Sequence, residues 1–487
     1  MAEILIANTY FLNLDPKQHA NMQPYPPLAT LYAAAVLEQE NHQVTFFDTI
    51  FAEKYQDIFS FITNHAGKFF VIYDDGFNYL TKMCLVNMRN ACFGMIQFAK
   101  QQGCTVIISS SDATDHWQEY LKQGADYILI GEAEITLKEL ISALELKDTN
   151  SISTITGLAY NQDGNFIKTP PRAVLHDLDM LPFPAWHLVD IKKYRTKWKQ
   201  KSGYFSLNMT TTRGCPFKCN WCAKPIYGNR YNCRSAENVV QEIEMLITTF
   251  GVDHFWFCDD IFGLKPLWIK QFSELVQQKN LRFKFKIQCR ADLLLDTNNI
   301  QYLALAGCDE IWIGAESGSQ KILDAMDKGT TIAQIRTATQ LMKKHGIKPC
   351  FFLQFGYLGE LKTDIDLTIN MMLDLMPHDI GISVSYPLPG TKFYEIVKND
   401  LHEKQNWNDS DELLMMYKAT FSPEYYKRLH RYVHYRFRLA QGKLYTYQML
   451  SGKLKLNKTA LRRIITMPYF AANIISSKIL MSAAIKS

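Results

Sequence analysis

Short apolar runs alternate with longer mixed stretches over the first 145 residues of the chain, and again from Tyr204 to about Asn399. In the first block the strand-like runs are Glu3-Ile-Leu-Ile-Ala-Asn8, Val44-Thr-Phe-Phe-Asp48, Phe69-Phe-Val-Ile-Tyr73, Thr105-Val-Ile-Ile-Ser109 and Asp126-Tyr-Ile-Leu-Ile130. Helix-like stretches lie at Pro27 to Glu40 and Ile135 to Leu144. This alternation predicts a doubly wound parallel sheet, and such sheets bind ligands beyond the carboxyl ends of their strands.

In the second block the strand-like runs begin with Tyr204-Phe-Ser-Leu-Asn-Met-Thr, before a helix near Ala236 to Phe250. They continue with Asp253-His-Phe-Trp-Phe-Cys258, Phe283-Lys-Phe-Lys-Ile287, Glu310-Ile-Trp-Ile-Gly314, Pro349-Cys-Phe-Phe-Leu-Gln-Phe355 and Asp379-Ile-Gly-Ile-Ser-Val384. Six βα units follow from this pattern. Residues 146–200 are rich in turn formers (Asn161-Gln-Asp-Gly164, Pro170-Pro171, Leu181-Pro-Phe-Pro-Ala-Trp186) and read as a connecting segment. From about 400 to 487 the chain is helix-like and basic, with an aromatic and cationic stripe at Tyr425 to Arg438 that reads as a solvated helix face lying over the core.

Composition narrows the class. The 487 residues are 47% hydrophobic and 21% charged, as in a globular protein of two or three domains. The formal charge of +5 is small for this length and argues against a dedicated nucleic-acid binder. Eleven cysteines without paired spacing, and an N-terminus lacking a basic region followed by an apolar stretch, point to a reducing cytoplasm.

Three of those cysteines carry the chemistry. Cys215, Cys219 and Cys222 stand in Thr-Arg-Gly-Cys-Pro-Phe-Lys-Cys-Asn-Trp-Cys, three soft ligands in one tight loop. Thiolates select iron-sulfur clusters, zinc or cuprous copper, and structural zinc sites and electron-transfer clusters take four protein ligands. No fourth ligand sits at similar spacing; Cys233 is the nearest downstream cysteine. A cubane held by three thiolates leaves one iron open to a small molecule. A zinc clip, or three unrelated core cysteines, is the alternative.

The run Cys-x3-Cys-x2-Cys with Trp221 before its last cysteine resembles the signature of the radical S-adenosylmethionine (SAM) superfamily. The resemblance implies a 4Fe-4S cluster at Cys215, Cys219 and Cys222 whose open iron chelates SAM and cleaves it to a 5′-deoxyadenosyl radical, with an electron donor such as flavodoxin or ferredoxin. It also implies a (β/α)6 partial TIM barrel over residues 201–399 whose reactive groups gather at the strand ends. On that basis Asp259 and Asp260 meet the SAM amino group, Arg290 pairs with the SAM carboxylate or a substrate anion, and Glu316 reaches a ribose hydroxyl or the amino group. Gly356 and Gly359 form the turn against adenine. Turn and cap aspartates, a surface ion pair and plain turn glycines are the bland readings of the same residues.

Pro-Pro-Leu-Ala-Thr-Leu-Tyr-Ala-Ala-Ala-Val-Leu-Glu38 with His42-Gln-Val-Thr-Phe-Phe-Asp48 and Gly131-Glu-Ala-Glu134 resembles the N-terminal cobalamin-binding domain of one large branch of these enzymes, over residues 1–145. The Asp-x-His-x-x-Gly run of histidine-ligated cobalamin domains is absent, and Ser109-Ser-Ser-Asp112 replaces a Gly-Gly pair common in relatives, which limits close backbone approach. The chain is thus expected to be α/β: a Rossmann-like cobalamin domain (1–145), a linker (146–200), a radical SAM partial barrel (201–399) and a helical C-terminal domain (400–487). Cobalamin-dependent methylation of an unactivated carbon of a small, apolar substrate is the expected activity. A non-methylating cyclase, oxidase or rearrangement enzyme, or a cobalamin or SAM sensor, is the alternative; a methylthiolating RNA enzyme lacks support in the N-terminal cysteines and the tail. The apolar end, Leu461 to Met481 with flanking cations, is interrupted by Pro468 and Lys478 and admits an interfacial helix at a membrane or packing back onto the barrel.

Overall fold

A computed structural model describes residues 1–224, 226–453 and 458–486. The first sheet has seven strands: β1 (Glu3–Ala7), β2 (Gln43–Phe47), β3 (Phe69–Tyr73), β4 (Thr105–Ser109), β5 (Tyr127–Leu129), β6 (Leu158–Gln162) and β7 (Asn165–Lys168). Their order is β2-β1-β3-β4-β5-β6-β7. The first five pair in parallel; β1, β3 and β4 bury nearly all of their apolar residues because helices cover both faces, while Val44, Phe46 and Phe47 of the edge strand β2 are half-buried. Strand order reverses between β1 and β3, and at that switch point adjacent loops leave the sheet in opposite directions and open a crevice.

One boundary differs from the expected one. The segment read as a linker begins as an antiparallel hairpin, β6 and β7, which adds to β5 and carries the sheet to Lys168; Asn161-Gln-Asp-Gly164 is its turn, with Asp163 and Gly164 both at positive φ. β6 lies between β5 and β7, and its outer half, Asn161 and Gln162, is polar and exposed, which hides the strand signal. The rest of the segment continues to the helix Ile191–Ser202, which Asp190 caps.

The second sheet is a run of six parallel strands in sequential order: β8 (Ser206–Met209), β11 (His254–Phe257), β12 (Lys284–Cys289), β13 (Cys308–Glu316), β14 (Lys348–Phe355) and β15 (Asp379–Val384). A two-stranded ribbon, β9 (Thr212–Arg213) with β10 (Asn232–Cys233), lies between the first two. Phe255, Phe257, Phe285, Ile287, Ile311, Ile313 and Phe351 face the helices and are fully buried, so the alternate residues face the lumen of a half-barrel. Tyr25, from the first domain, plugs the lumen floor against Trp256 and bonds Ser206 through its hydroxyl (3.1 Å).

The C-terminal region is helical only in part. Residues 401–421 form an irregular strap, fixed by a bridge between Leu401 and Tyr417 and by the buried Trp407, whose indole donates to Leu414 O (2.8 Å). The strap returns to the first domain, where Val86 N donates to Trp407 O and Ser410 Oγ to Asp15 Oδ1. Its Asn-, Asp- and Ser-rich sequence favours turns over helix. The helix Pro423–Leu450 then starts at a Ser422 cap with proline in its first turn. It buries Tyr426, Leu429, Val433 and Phe437 on one face, while Arg438 and Gln441 bond Asp379 and His378 beside β15.

Candidate functional site

The three cysteines lie on the loop that leaves the carboxyl end of β8. Asp259, following β11, is fully buried and clamps the root of this loop. It accepts bonds from Thr211 N (2.7 Å), Thr212 N (2.8 Å), Thr210 Oγ1 (2.9 Å) and Thr211 Oγ1 (2.6 Å). Burial pushes its carboxyl up to about 6 while those donors pull it down. The β9–β10 ribbon then closes the loop, and Cys233 sits in the ribbon opposite Thr212. Gly214 opens the loop at φ +78°; a Cβ there would stand 2.4 Å from Arg230 O, so only glycine passes.

Within the loop Cys215, Cys219 and Cys222 are half-buried. Burial pushes the Cys222 thiol up to about 12, against Lys224 and Lys82, and raises Cys215 as well. Arg290 stacks on Phe217 at 3.8 Å and brings Nη1 to 3.9 Å from Cys219 Sγ. Asn220 is held by Ala325 O (2.7 Å) and the Tyr357 hydroxyl (2.8 Å), while the buried Trp221 Nε1 has no partner. Among the described residues no group of three or more His, Cys, Asp or Glu is gathered to hold a metal ion. A cubane makes a different demand, one thiolate on each of three irons.

The strand-end residues divide into two sets. Asp260 pairs with Lys82 of the first domain (2.6 Å); burial opposes the lysine charge, but Asp260 outweighs it and holds Lys82 above its usual range. Glu316, at φ +53°, pairs with the buried Lys328 (2.8 Å), which it likewise holds up against burial. Gly314 makes room for this pair, since a Cβ there would lie 2.5 Å from both Glu316 Oε1 and Lys328 Nζ. Gly359 has φ +73° with nothing where a Cβ would stand, and its carbonyl accepts from Lys321 Nζ (2.8 Å).

The other three differ from expectation. Asp259 is saturated by threonine donors and holds the root of the cysteine loop. Arg290 is locked by Asp292 (3.0 Å) and by Lys328 O (2.8 Å), so it braces the same loop and is not free for a carboxylate. Gly356 has both peptide groups engaged, its N–H by Glu360 (2.7 Å) and its carbonyl by the Tyr417 hydroxyl, and Met415 of the strap covers it. Sequence reading missed Lys82, Lys328 and the threonine clamp, because each acts on a partner from another segment. It also missed the lumen, lined by Trp256, Lys286, Gln288, Trp312 and Phe352, where the Trp312 and Phe352 rings lie 4.8 Å apart and pack against Gly381, whose missing Cβ makes room for them.

The first sheet opens toward the same loop. A narrow crevice is bounded by Ser109, Ser110, Ser111, Gly131 and Gly76 on the sheet side and by Ile226 and Tyr227 of the cysteine loop on the other. A second runs from Thr9 and Tyr10 past Asp74 to Arg89 and Asp112, and the two meet at Asp74, Thr81 and Ser110. Ser111 Oγ is buried without a partner. Arg213, beside the cysteine run, reaches into the first domain; it pairs with Glu132 (2.5 Å) and Glu134 (2.7 Å) among the rings of Tyr32, Phe77 and Tyr227.

Residues 209–372 match the Radical SAM superfamily model. The chain is 29% identical over 284 residues to an uncharacterised methyltransferase of Pyrococcus horikoshii, covering 58% of this chain and 60% of that protein. It is 27% identical over 378 residues to the anaerobic magnesium-protoporphyrin IX monomethyl ester cyclase of Synechocystis, covering 76% and 72%. In fold it is similar to the cobalamin-dependent S-adenosylmethionine radical enzyme OxsB solved with aqua-cobalamin, at a TM-score of 0.74 and 16% identity over 99% of this chain and 75% of that one.

Proposed function

We propose that this chain, in which residues 209–372 form a radical SAM domain, is a cobalamin-dependent enzyme that methylates an unactivated carbon of a small molecule. The observation that carries the reading is one juxtaposition: the three-cysteine loop at the head of the half-barrel faces the strand-end crevice of the first sheet across Ile226 and Tyr227. The donor set, three thiols without a fourth, fits a 4Fe-4S cluster with one open iron. The small and polar rim of Ser109, Ser110, Ser111 and Gly131 fits a polar macrocycle edge, and the unpartnered Ser111 Oγ supplies a bond for it.

When bound, the cluster and SAM supply hydrogen-atom abstraction, with an electron from a flavodoxin or ferredoxin, and cobalamin supplies a methyl group. The protein does the positioning. Asp259 and Arg290 fix the loop, and Asp260 and Glu316, each beside a lysine, border the place for SAM. The lumen, with its Trp312 and Phe352 rings and the half-buried Lys286, whose pKa desolvation lowers, suits a flat apolar substrate with one polar group. The methyltransferase name of the archaeal relative supports methylation, although this chain spans only 60% of that protein. A second reading, ring formation without methylation, is favoured by the alignment to the cyclase over 76% of the chain.

The test is anaerobic. The full chain is reconstituted with iron, sulfide and hydroxocobalamin, reduced with SAM present, and its nucleosides and retained corrin are measured. Deoxyadenosine that vanishes in Cys219→Ala, with corrin retained, supports the radical enzyme; none from a fully loaded cluster refutes it. With substrate, deoxyadenosine together with S-adenosylhomocysteine supports methylation, and deoxyadenosine alone supports the second reading.

A further inference from the structure

Charge along this chain is divided unevenly. Residues 425–487 contain 13 Lys and Arg and no Asp or Glu. Removing those 13 from the total of 53 leaves 40 cations against 48 acids, so the other residues carry −8 and the last 63 carry +13. A net charge near neutrality therefore conceals a strongly basic end.

The same end exposes apolar side chains. Of the twenty large hydrophobic residues exposed among the described ones, eight lie between Tyr447 and Leu480. On the short helix Lys458–Ile465, Leu461 (43% exposed) and Ile465 (66%) share the exposed face with Lys458 and Arg462. On the helix Met467–Lys486, Tyr469, Ile475 (65%), Ile479 (65%) and Leu480 are exposed beside Lys478. Apolar residues ringed by cations, with no acid among them, form the chemistry of a helix that lies in a bilayer interface.

We propose that these two helices form a docking surface for an anionic phospholipid bilayer, with the chain lying on the membrane. Charge complementarity selects this occupant. A symmetric contact between two copies would place one cationic face on another, which costs free energy; an anionic leaflet attracts each cation near it. Lying on the membrane also agrees better with the packing than crossing it. No single helix among the described residues is long and apolar enough to span, and only the bent pair, broken by 47°, meets the length and composition together. That pair is docked on the rest of the chain: Met467 packs on Gly442, Tyr435 meets the rings of Tyr469 and Phe470, and Ser422 donates to Ala484 O (3.3 Å). Spanning would strip these contacts away.

The experiment is co-sedimentation of the full chain with vesicles of phosphatidylcholine alone and of phosphatidylcholine mixed with phosphatidylglycerol. The wild type is expected to sediment with the mixed vesicles, and raising salt from about 0.1 M to about 1 M, which shortens the screening length from about 10 Å to about 3 Å, is expected to release it. Lys458→Gln with Arg462→Gln is expected to weaken partition about tenfold or more. Ile475→Ser with Ile479→Ser is expected to weaken it in low salt too. All four positions are exposed, so circular dichroism and deoxyadenosine formation are expected to stay at wild-type levels. Equal partition of wild type and both variants, or none onto mixed vesicles, overturns the proposal. So does release by detergent alone, which signals a span, or a dimer in sedimentation velocity that the isoleucine changes dissolve while no vesicle binding is seen.

Discussion

Glu360→Gln is the sharpest test of the electrostatics beside the half-barrel. Glu360 follows the turn after β14 and is fully buried. Oε2 accepts from Gly356 N (2.7 Å), whereas Oε1 has no partner, and the buried Tyr426 hydroxyl close by has none either. Burial pushes the Glu360 carboxyl from 4.5 up to about 8, with Asp364 adding to the rise and Lys321 opposing it. A carboxyl whose folded pKa is raised holds a proton that the unfolded chain has released. Its contribution to stability is thus fully present below about 4.5 and is lost as pH rises through about 8. One pKa unit corresponds to about 1.4 kcal/mol, so the loss between pH 5 and pH 8 amounts to about 4 kcal/mol. Glutamine keeps the acceptor for Gly356 N–H and carries no proton to lose. The variant should match the wild type near pH 5 and exceed it progressively toward pH 8, in urea unfolding followed at matched ionic strength. Infrared spectra at pH 7 provide the direct check, as a protonated-carboxyl band present in the wild type and missing from Glu360→Gln. A stability gap that does not change with pH, together with no such band, would refute the reasoning.

Two further substitutions probe the cysteine loop and its neighbour. Asp259→Ala leaves the Thr211 and Thr212 N–H groups buried and unpaired, at about 1–3 kcal/mol each. Iron content after reconstitution should fall with it and recover in large part in Asp259→Asn, which keeps an acceptor; equal iron in the alanine variant would show that Asp259 does not hold the loop. Gly314→Ala drives a methyl group between Glu316 and Lys328, and separating that buried pair should cost about 3–5 kcal/mol. An unchanged melting temperature would show that the pair moves aside without loss.

The strands were legible because each is an apolar run bounded by turn formers. Observed limits for β3, β4 and β15 coincide with the expected runs, and β13 extends the expected run by two residues at each end. The cysteine loop was legible for another reason: its three thiols are close in sequence, so their spacing shows without any distant partner. What escaped was whatever depends on a distant partner. An aspartate at a strand end reads the same whether it pairs with a lysine of the first domain, as Asp260 does with Lys82, or is saturated by threonines from the preceding strand's end, as Asp259 is. Short, partly polar hairpin strands and a strap built from turn formers gave no periodic signal, so β6, β7 and residues 401–421 were misread.

The same distinction bears on how the two sheets work together. Lys82 and Asp260 are 178 residues apart, and Arg213 lies 79 residues from Glu134 and 81 from Glu132. These pairs meet only once both sheets have formed, and they meet on either side of the cysteine loop. Arg213 is 3% exposed, and Glu132 and Glu134 are buried with it. Removing one member of such a buried set strands the others' charge, so the junction resists separation more strongly than surface ion pairs could. A ring of aromatic faces around the guanidinium adds to its hold and excludes water. The crevice of the first sheet is therefore fixed in register with the cysteine loop by the residue that precedes the loop's glycine, and any group seated in the crevice inherits its position relative to the half-barrel from Arg213.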